Sequence, residues 1–202
     1  MDRLSRRSFL KSTSLGATIL ASSAYSNPLS SLILSDKKQK NIDLDYVIFD
    51  KGIEKSEEFA QKMKALGTKT YEINKDISQM WSEVISPTWG KNKNTAIAGL
   101  TTYETMFVLE RLAFDKGMLM YFNAEHNIAN NNINHELQAS KVEIDKIKKN
   151  LDKYDWTDAL ALKINNYEYE RIDSKTKIST NNNKNEKNQI LYSWIIAPRK
   201  VS

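Results

Sequence analysis

Leu44-Asp45-Tyr46-Val47-Ile48-Phe49-Asp50 is a short run of β-branched and aromatic residues, and its content reads as a buried strand. The residues after it read as a helix, and that alternation sets the expected fold class. Ser56 is a good N-cap, Glu57 and Glu58 suit the positive end of a helix dipole, and Gly67 is a good stop. Between them Phe59, Met63 and Leu66 recur at helical spacing. A second strand, Lys69–Ile73, comes next. Asp76 opens a second helix with Gln79 as its capping-box partner. Its apolar stripe is Ile77, Trp81, Val84 and Ile85, and Pro87 is expected to end it. A third strand is expected at Thr95–Gly99. Thr101 and Glu104 form another capping box for a helix carrying Phe107, Val108 and Leu112, which stops near Gly117. A fourth strand is expected at Met118–Phe122.

Strands alternating with helices require crossovers, and crossovers give a mostly parallel sheet. The expected fold class is α/β: one three-layer-like domain over 44–202, with a mostly parallel sheet of about four strands. The last third reads differently. Ile133, Leu137, Ile144, Ile147 and Leu151 fall on one stripe of a long helix, with Ser140 at the missing position. Trp156, Leu160 and Ile164 mark another helix. Lys177–Thr180 and Ile190–Ile196 flank the polar stretch Asn181–Asn188 and read as a β-hairpin at the sheet edge.

Upstream of the domain stands Ser5-Arg6-Arg7-Ser8-Phe9-Leu10-Lys11. It resembles the twin-arginine export signal at every fixed position, the carriers being Arg6, Arg7, Phe9, Leu10 and Lys11. The apolar stretch from Ser12 to Ala24 is rich in Ser, Ala, Thr and Gly, and falls short of the about 20 apolar residues of a membrane span. Ala24-Tyr25-Ser26 fits the small-x-small cleavage rule, and Ser22-Ser23-Ala24 fits nearly as well. The expected organisation is therefore a signal peptide over 1–26, a linker over 27–43 and the domain. The resemblance implies export of an already folded protein to the periplasm, with the twin-arginine translocase as a transient partner and a co-exported protein as a further one.

The chain has 30 Lys and Arg against 25 Asp and Glu. Without the segment before Asn27, 26 bases stand against 24 acids, so the mature part offers no electrostatic reason to bind nucleic acid. There is no cysteine, which excludes disulfides and, from this chain alone, ordinary iron–sulfur, c-type haem and blue-copper sites. The sequence specifies no cofactor.

In open α/β sheets ligands bind beyond the carboxyl ends of the strands. Those ends deliver Asp50 and Lys51, Asn74 and Asp76, Thr101 and Thr102, and Glu125 and His126. The candidate catalytic residues are Asp50, as acceptor or base, and His126, which titrates near neutrality. The candidate ligand-binding residues are Thr101 and Thr102, at a helix N-terminus able to hold an anion, and Trp89 in a loop beside Gly90. Structural alternatives stand beside them: Asp50 caps a turn, Thr101 caps its helix, and His126 is a surface or hydrogen-bonded group. No metal site is expected, because the spacing of His126 and His135 matches no metal motif and Glu125 or Glu136 would have to complete it.

Ile48-Phe49-Asp50 is similar to the first aspartate motif of haloacid-dehalogenase-type phosphatases. Gly52 and Ile53-Glu54 stand where that family has its second Asp and its Gly-Thr, so the assignment fails. From Tyr46 to His126 the chain resembles a group of small twin-arginine-exported bacterial proteins without assigned activity. The carrying residues are Ala98-Gly99-Leu100-Thr101 and Leu109-Glu110-Arg111-Leu112-Ala113. The expected function is that of a periplasmic accessory or ligand-binding protein; the alternative is a small enzyme using Asp50, Thr101 and His126.

Overall fold

A computed structural model describes residues 41–74, 76–91, 95–129, 132–181 and 187–199. The expected export signal, residues 27–40 of the linker, and residues 182–186 of the Asn-rich stretch lie outside the described residues. The strands are β1 Leu44–Asp50, β2 Lys69–Ile73, β3 Ala96–Thr101, β4 Met118–Ala129, β5 Asn132–Ala139, β6 Ser174–Asn181 and β7 Gln189–Pro198. The helices are α1 Glu54–Ala65, α2 (the continuous run Ser78–Met80, Trp81–Ile85 and Ser86–Lys91), α3 Tyr103–Phe114, α4 Lys141–Leu151 and α5 Trp156–Asn165.

The sheet corrects the expected fold class. Among the described residues it has seven strands in the order β2-β1-β3-β7-β4-β5-β6. The β1–β2 and β1–β3 pairings are parallel, whereas β3–β7, β7–β4, β4–β5 and β5–β6 are antiparallel. The protein is thus a mixed α/β fold with a mostly antiparallel sheet, not a mostly parallel sheet of about four strands. Three local expectations fail with it. Residues 132–139 form β5 instead of the first half of a helix, and α4 starts only after Ser140, whose hydroxyl accepts from Glu143 N at 3.3 Å. The strand expected at Met118–Phe122 runs on to Ala129, because Ala124, His126 and Ile128 keep alternating inward. The segments read as an edge hairpin do not pair with each other. β6 is an edge strand on β5, while β7 lies in the middle of the sheet, between β3 and β4.

Burial explains that placement. Along β7, Leu191 and Ser193–Ala197 are buried without alternation, so both faces of the strand are covered, as a central strand requires. Along β6 burial alternates strictly, with Lys175 and Lys177 outward, and such charges protect an edge.

Helices cover both faces. On one, α1, α4 and α5 bury Phe59, Met63, Ile144, Ile147, Trp156, Leu160 and Ile164 against Val47, Ala98, Leu100, Phe122 and Leu137. On the other, α2 and α3 bury Met80, Ile85, Trp89, Met106 and Leu109 against Ile48, Ile73, Ile97, Trp194 and Ile196. Pro87 does not end its helix. The run passes through it by way of a wide turn at Trp81–Ile85, which accommodates the missing N–H and the ring's clash with the preceding turn. Trp194 crosses β3 where Gly99 leaves room; a Cβ there would sit 2.5 Å from Trp194 Cζ2 and 2.8 Å from the Ile48 carbonyl oxygen.

Candidate functional site

The first strand delivers Asp50 to the upper edge of the sheet, as its position predicts. There each carboxylate oxygen accepts a hydrogen bond. Oδ2 accepts from Thr102 N at 2.6 Å, and Oδ1 accepts from the Thr105 hydroxyl at 2.9 Å. Thr102 is the N-cap of α3, but its side chain accepts no cap hydrogen bond from the helix backbone. Asp50 supplies the anionic oxygen from a neighbouring strand instead, at the positive end of the helix. An external anion at Thr101–Thr102 would have to displace that carboxylate. Thr101 itself is buried; its hydroxyl accepts from Trp194 Nε1 at 2.9 Å and donates to the Thr102 carbonyl at 3.1 Å.

Ser56 completes this junction. It lies inside α1, which starts two residues before it, so it does not act as that helix's N-cap. Its buried hydroxyl accepts from Asp50 N at 2.9 Å and donates to the Leu100 carbonyl, tying the ends of β1 and β3 together.

His126 is elsewhere. It faces α5, on the opposite face of the sheet from Asp50, and β3 and β7 lie between their strands. The two candidate catalytic residues therefore share no cleft. Trp89 lies in α2 instead of a loop; it is 4% exposed and packs edge-on against Trp81 at 5.7 Å. Two surface clefts, of about 230 Å³ beside Phe114 and about 380 Å³ beside Arg171 and Arg199, border the start of β4 and touch none of the candidate residues.

The structure brings His126 together with His135, a pairing that sequence reasoning missed. The β4–β5 register sets the two residues directly opposite each other. Their Nδ1 atoms are 2.7 Å apart. His126 Nε2 lies 2.6 Å from the Ser193 hydroxyl, and His135 Nε2 lies 2.9 Å from the Thr180 hydroxyl. The result is one buried chain, Ser193–His126–His135–Thr180, running across β7, β4, β5 and β6. The Trp156 ring closes it from above, 4.9 Å from the first imidazole and 5.7 Å from the second.

Chemistry restricts what this chain can be. Two nitrogens at 2.7 Å share one proton, so one imidazole donates through Nδ1 and the other accepts there. Each outer nitrogen then takes the complementary role toward its hydroxyl. Both rings are neutral in this arrangement. Burial holds His126 well below the ordinary imidazole range, with the neighbouring His135 adding to the effect, and burial alone brings His135 down to about 4. A metal between the two rings would hold each nitrogen at about 2.0–2.1 Å, and so the two about 3.3 Å from each other at a tetrahedral angle. The observed spacing fits a proton. The adjacent carboxylates do not help, because the pleat turns Glu125 and Glu136 to the other face. There Glu125 accepts from Tyr192 Oη at 2.8 Å, and Glu136 pairs with Lys175 and Lys177. Among the described residues no group of three or more His, Cys, Asp or Glu gathers to hold a metal ion.

No protein-family model matches the chain, and neither a curated protein nor a solved structure matches it significantly.

Proposed function

We propose that the chain is a non-catalytic accessory or ligand-binding protein, exported in folded form by the twin-arginine route and acting in the periplasm through its surface. One observation carries the non-catalytic part. Asp50 is held against α3 by the Thr102 N–H and the Thr105 hydroxyl, while His126 is 0% exposed on the other face of the sheet. A catalytic acid–base pair has to reach the same substrate proton or its neighbour, and these two groups have no common solvent. The export part is carried by Ser5 to Lys11 and the short small-residue stretch behind it.

Two experiments test the reading. Arg6→Lys with Arg7→Lys should leave precursor in the cytoplasm; mature protein reaching the periplasm in that double variant overturns the export route. A deletion strain complemented with Asp50→Asn or His126→Gln should behave as with the wild-type gene, provided the variant is folded by circular dichroism. Failure of a folded variant to complement returns a catalytic role to that residue.

A further inference from the structure

Helix α3 is apolar on two sides. Its inner stripe, Met106, Leu109 and Ala113, is buried against the sheet. Its outer stripe carries Tyr103, Phe107, Val108 and Phe114, which are 50%, 44%, 40% and 61% exposed. Among the described residues the other large exposed apolar side chains are Val142, Ile172 and Ile190, of which Ile190 stands two residues along β7 from Tyr192. Tyr103 stacks on Phe107 at 5.7 Å and meets Tyr192 edge-on at 5.4 Å, so the aromatic rings form one connected surface. An apolar and aromatic patch left on the outer face of a helix marks an interaction surface.

Charge indicates what covers it. The outer stripe is punctuated by Glu104 and Arg111, both exposed and seven residues apart. Seven residues are about two helical turns, so both stand on the face that carries Phe107 and Val108. Among the described residues neither makes an ion pair. Phe107 and Val108 lie midway between them. A two-fold axis through that midpoint, perpendicular to the helix, sets a second α3 antiparallel to the first. Glu104 of each copy then meets Arg111 of the other, and beside the axis Phe107 meets Phe107 of the other copy and Val108 meets its Val108. Phe114 of each copy passes the N-terminus of the other helix and reaches the Tyr103–Tyr192 surface. Apolar centre, flanking charges and aromatic ends are all satisfied by the same operation, which is the self-complementarity that an isologous interface demands.

We infer that the outer face of α3 is the two-fold interface of a homodimer. The partner is a second copy of this chain, packed antiparallel about Phe107 and Val108 with reciprocal Glu104–Arg111 pairs.

Sedimentation velocity of the purified protein, as its host produces it, tests this between about 1 and about 100 µM, where interfaces of modest affinity assemble. Twice the chain mass is expected. Phe107→Asp should give monomer. Glu104→Arg alone and Arg111→Glu alone should each weaken the dimer by about tenfold or more, because each places two like-charged contacts in one interface. Glu104→Arg combined with Arg111→Glu should restore the dimer to within about threefold of wild type, since the swap recreates both pairs. All these positions are exposed, so each variant is expected to stay folded, which circular dichroism checks. A wild-type monomer at about 100 µM overturns the inference. So does a dimer indifferent to Phe107→Asp, or a charge swap that fails to recover what the single reversals lose.

Discussion

Acid should loosen this protein well before its carboxylates titrate. His126 and His135 are the only histidines in the chain and there is no cysteine, so no other side-chain type changes charge between about pH 5 and 7.5. Both imidazoles are neutral and buried in the folded state. Unfolded, each takes up a proton with a pKa near about 6.5. The folded values are depressed, so this contribution is complete above about pH 6.5 and is lost progressively as pH falls toward the folded value, about 4 for His135. At about pH 5 the unfolded imidazole is protonated roughly thirtyfold in excess, which is about 2 kcal/mol for His135, and the buried His126 adds in the same direction. A domain of this size holds about 5–15 kcal/mol in total. Urea unfolding followed by circular dichroism at about pH 7.5, 6 and 5 should show the midpoint falling at constant slope. The double variant His126→Leu with His135→Leu should lose that pH dependence, whatever its absolute stability. Equal stability at about pH 7.5 and 5, or histidine ring resonances titrating near 6.5 in the folded protein, would refute the neutral buried pair.

Three further outcomes rest on the packing. Gly99→Ala forces a Cβ onto the Trp194 ring and the Ile48 carbonyl, and should cost about 1–3 kcal/mol, read as a lower urea midpoint with altered near-ultraviolet dichroism of the tryptophans. Asp50→Ala removes the cap of α3 and leaves the Thr105 hydroxyl without its acceptor; a loss of about 1–2 kcal/mol is expected in thermal unfolding, and an unchanged midpoint contradicts the capping role. Glu58 joins α1 to α5: burial opposes its ionisation, but hydrogen bonds and charge from Lys55 and Lys62 prevail and bring it down to about 2. Its contribution is present above about pH 4.5 and lost as pH falls toward 2, so Glu58→Gln should flatten the stability profile in that lower window and leave the histidine window unchanged.

The half of the chain up to α3 is legible because its signals are local. β1, α1 and β2 carry a helix stop and apolar periodicity within a few residues of one another, although the expected cap Ser56 falls inside α1, and the parallel β1–β2 and β1–β3 pairings come from the crossover helices. β5 reads as helix because Ile133 and Leu137 are four apart, a spacing that suits both a helix and an alternating strand. The residue that decides is His135, which counts as polar yet points inward with Ile133, Leu137 and Ala139. With the β4–β5 hairpin unseen, its cross-strand histidine pair stays hidden too. β4 ends at Ala129 and β5 begins at Asn132, so the connection spans two residues and places His126 and His135 symmetrically about it. The position of β7 has a signal of its own: Leu191 to Ala197 is apolar with little alternation, the mark of a strand covered on both faces. Asp50 is found by position alone; what it does there depends on Thr102 and Thr105, which the sequence places more than 50 residues away.

The central place of β7 also dictates an order of events at the ribosome. β2-β1-β3 and β4-β5-β6 are two three-stranded units that share no pairing, and every ladder joining them runs through Gln189–Pro198. Both units are synthesised before that strand. Until it emerges, β3 and β4 each keep an open edge, and the ladders that close them link positions on the order of a hundred residues apart in the case of β3, which makes this the slow step of assembly. A nascent chain interrupted anywhere upstream of Gln189 cannot complete the sheet. If the proposed export route is the one used, which carries only folded passengers, arrival of this single strand would also set when the chain is fit for export.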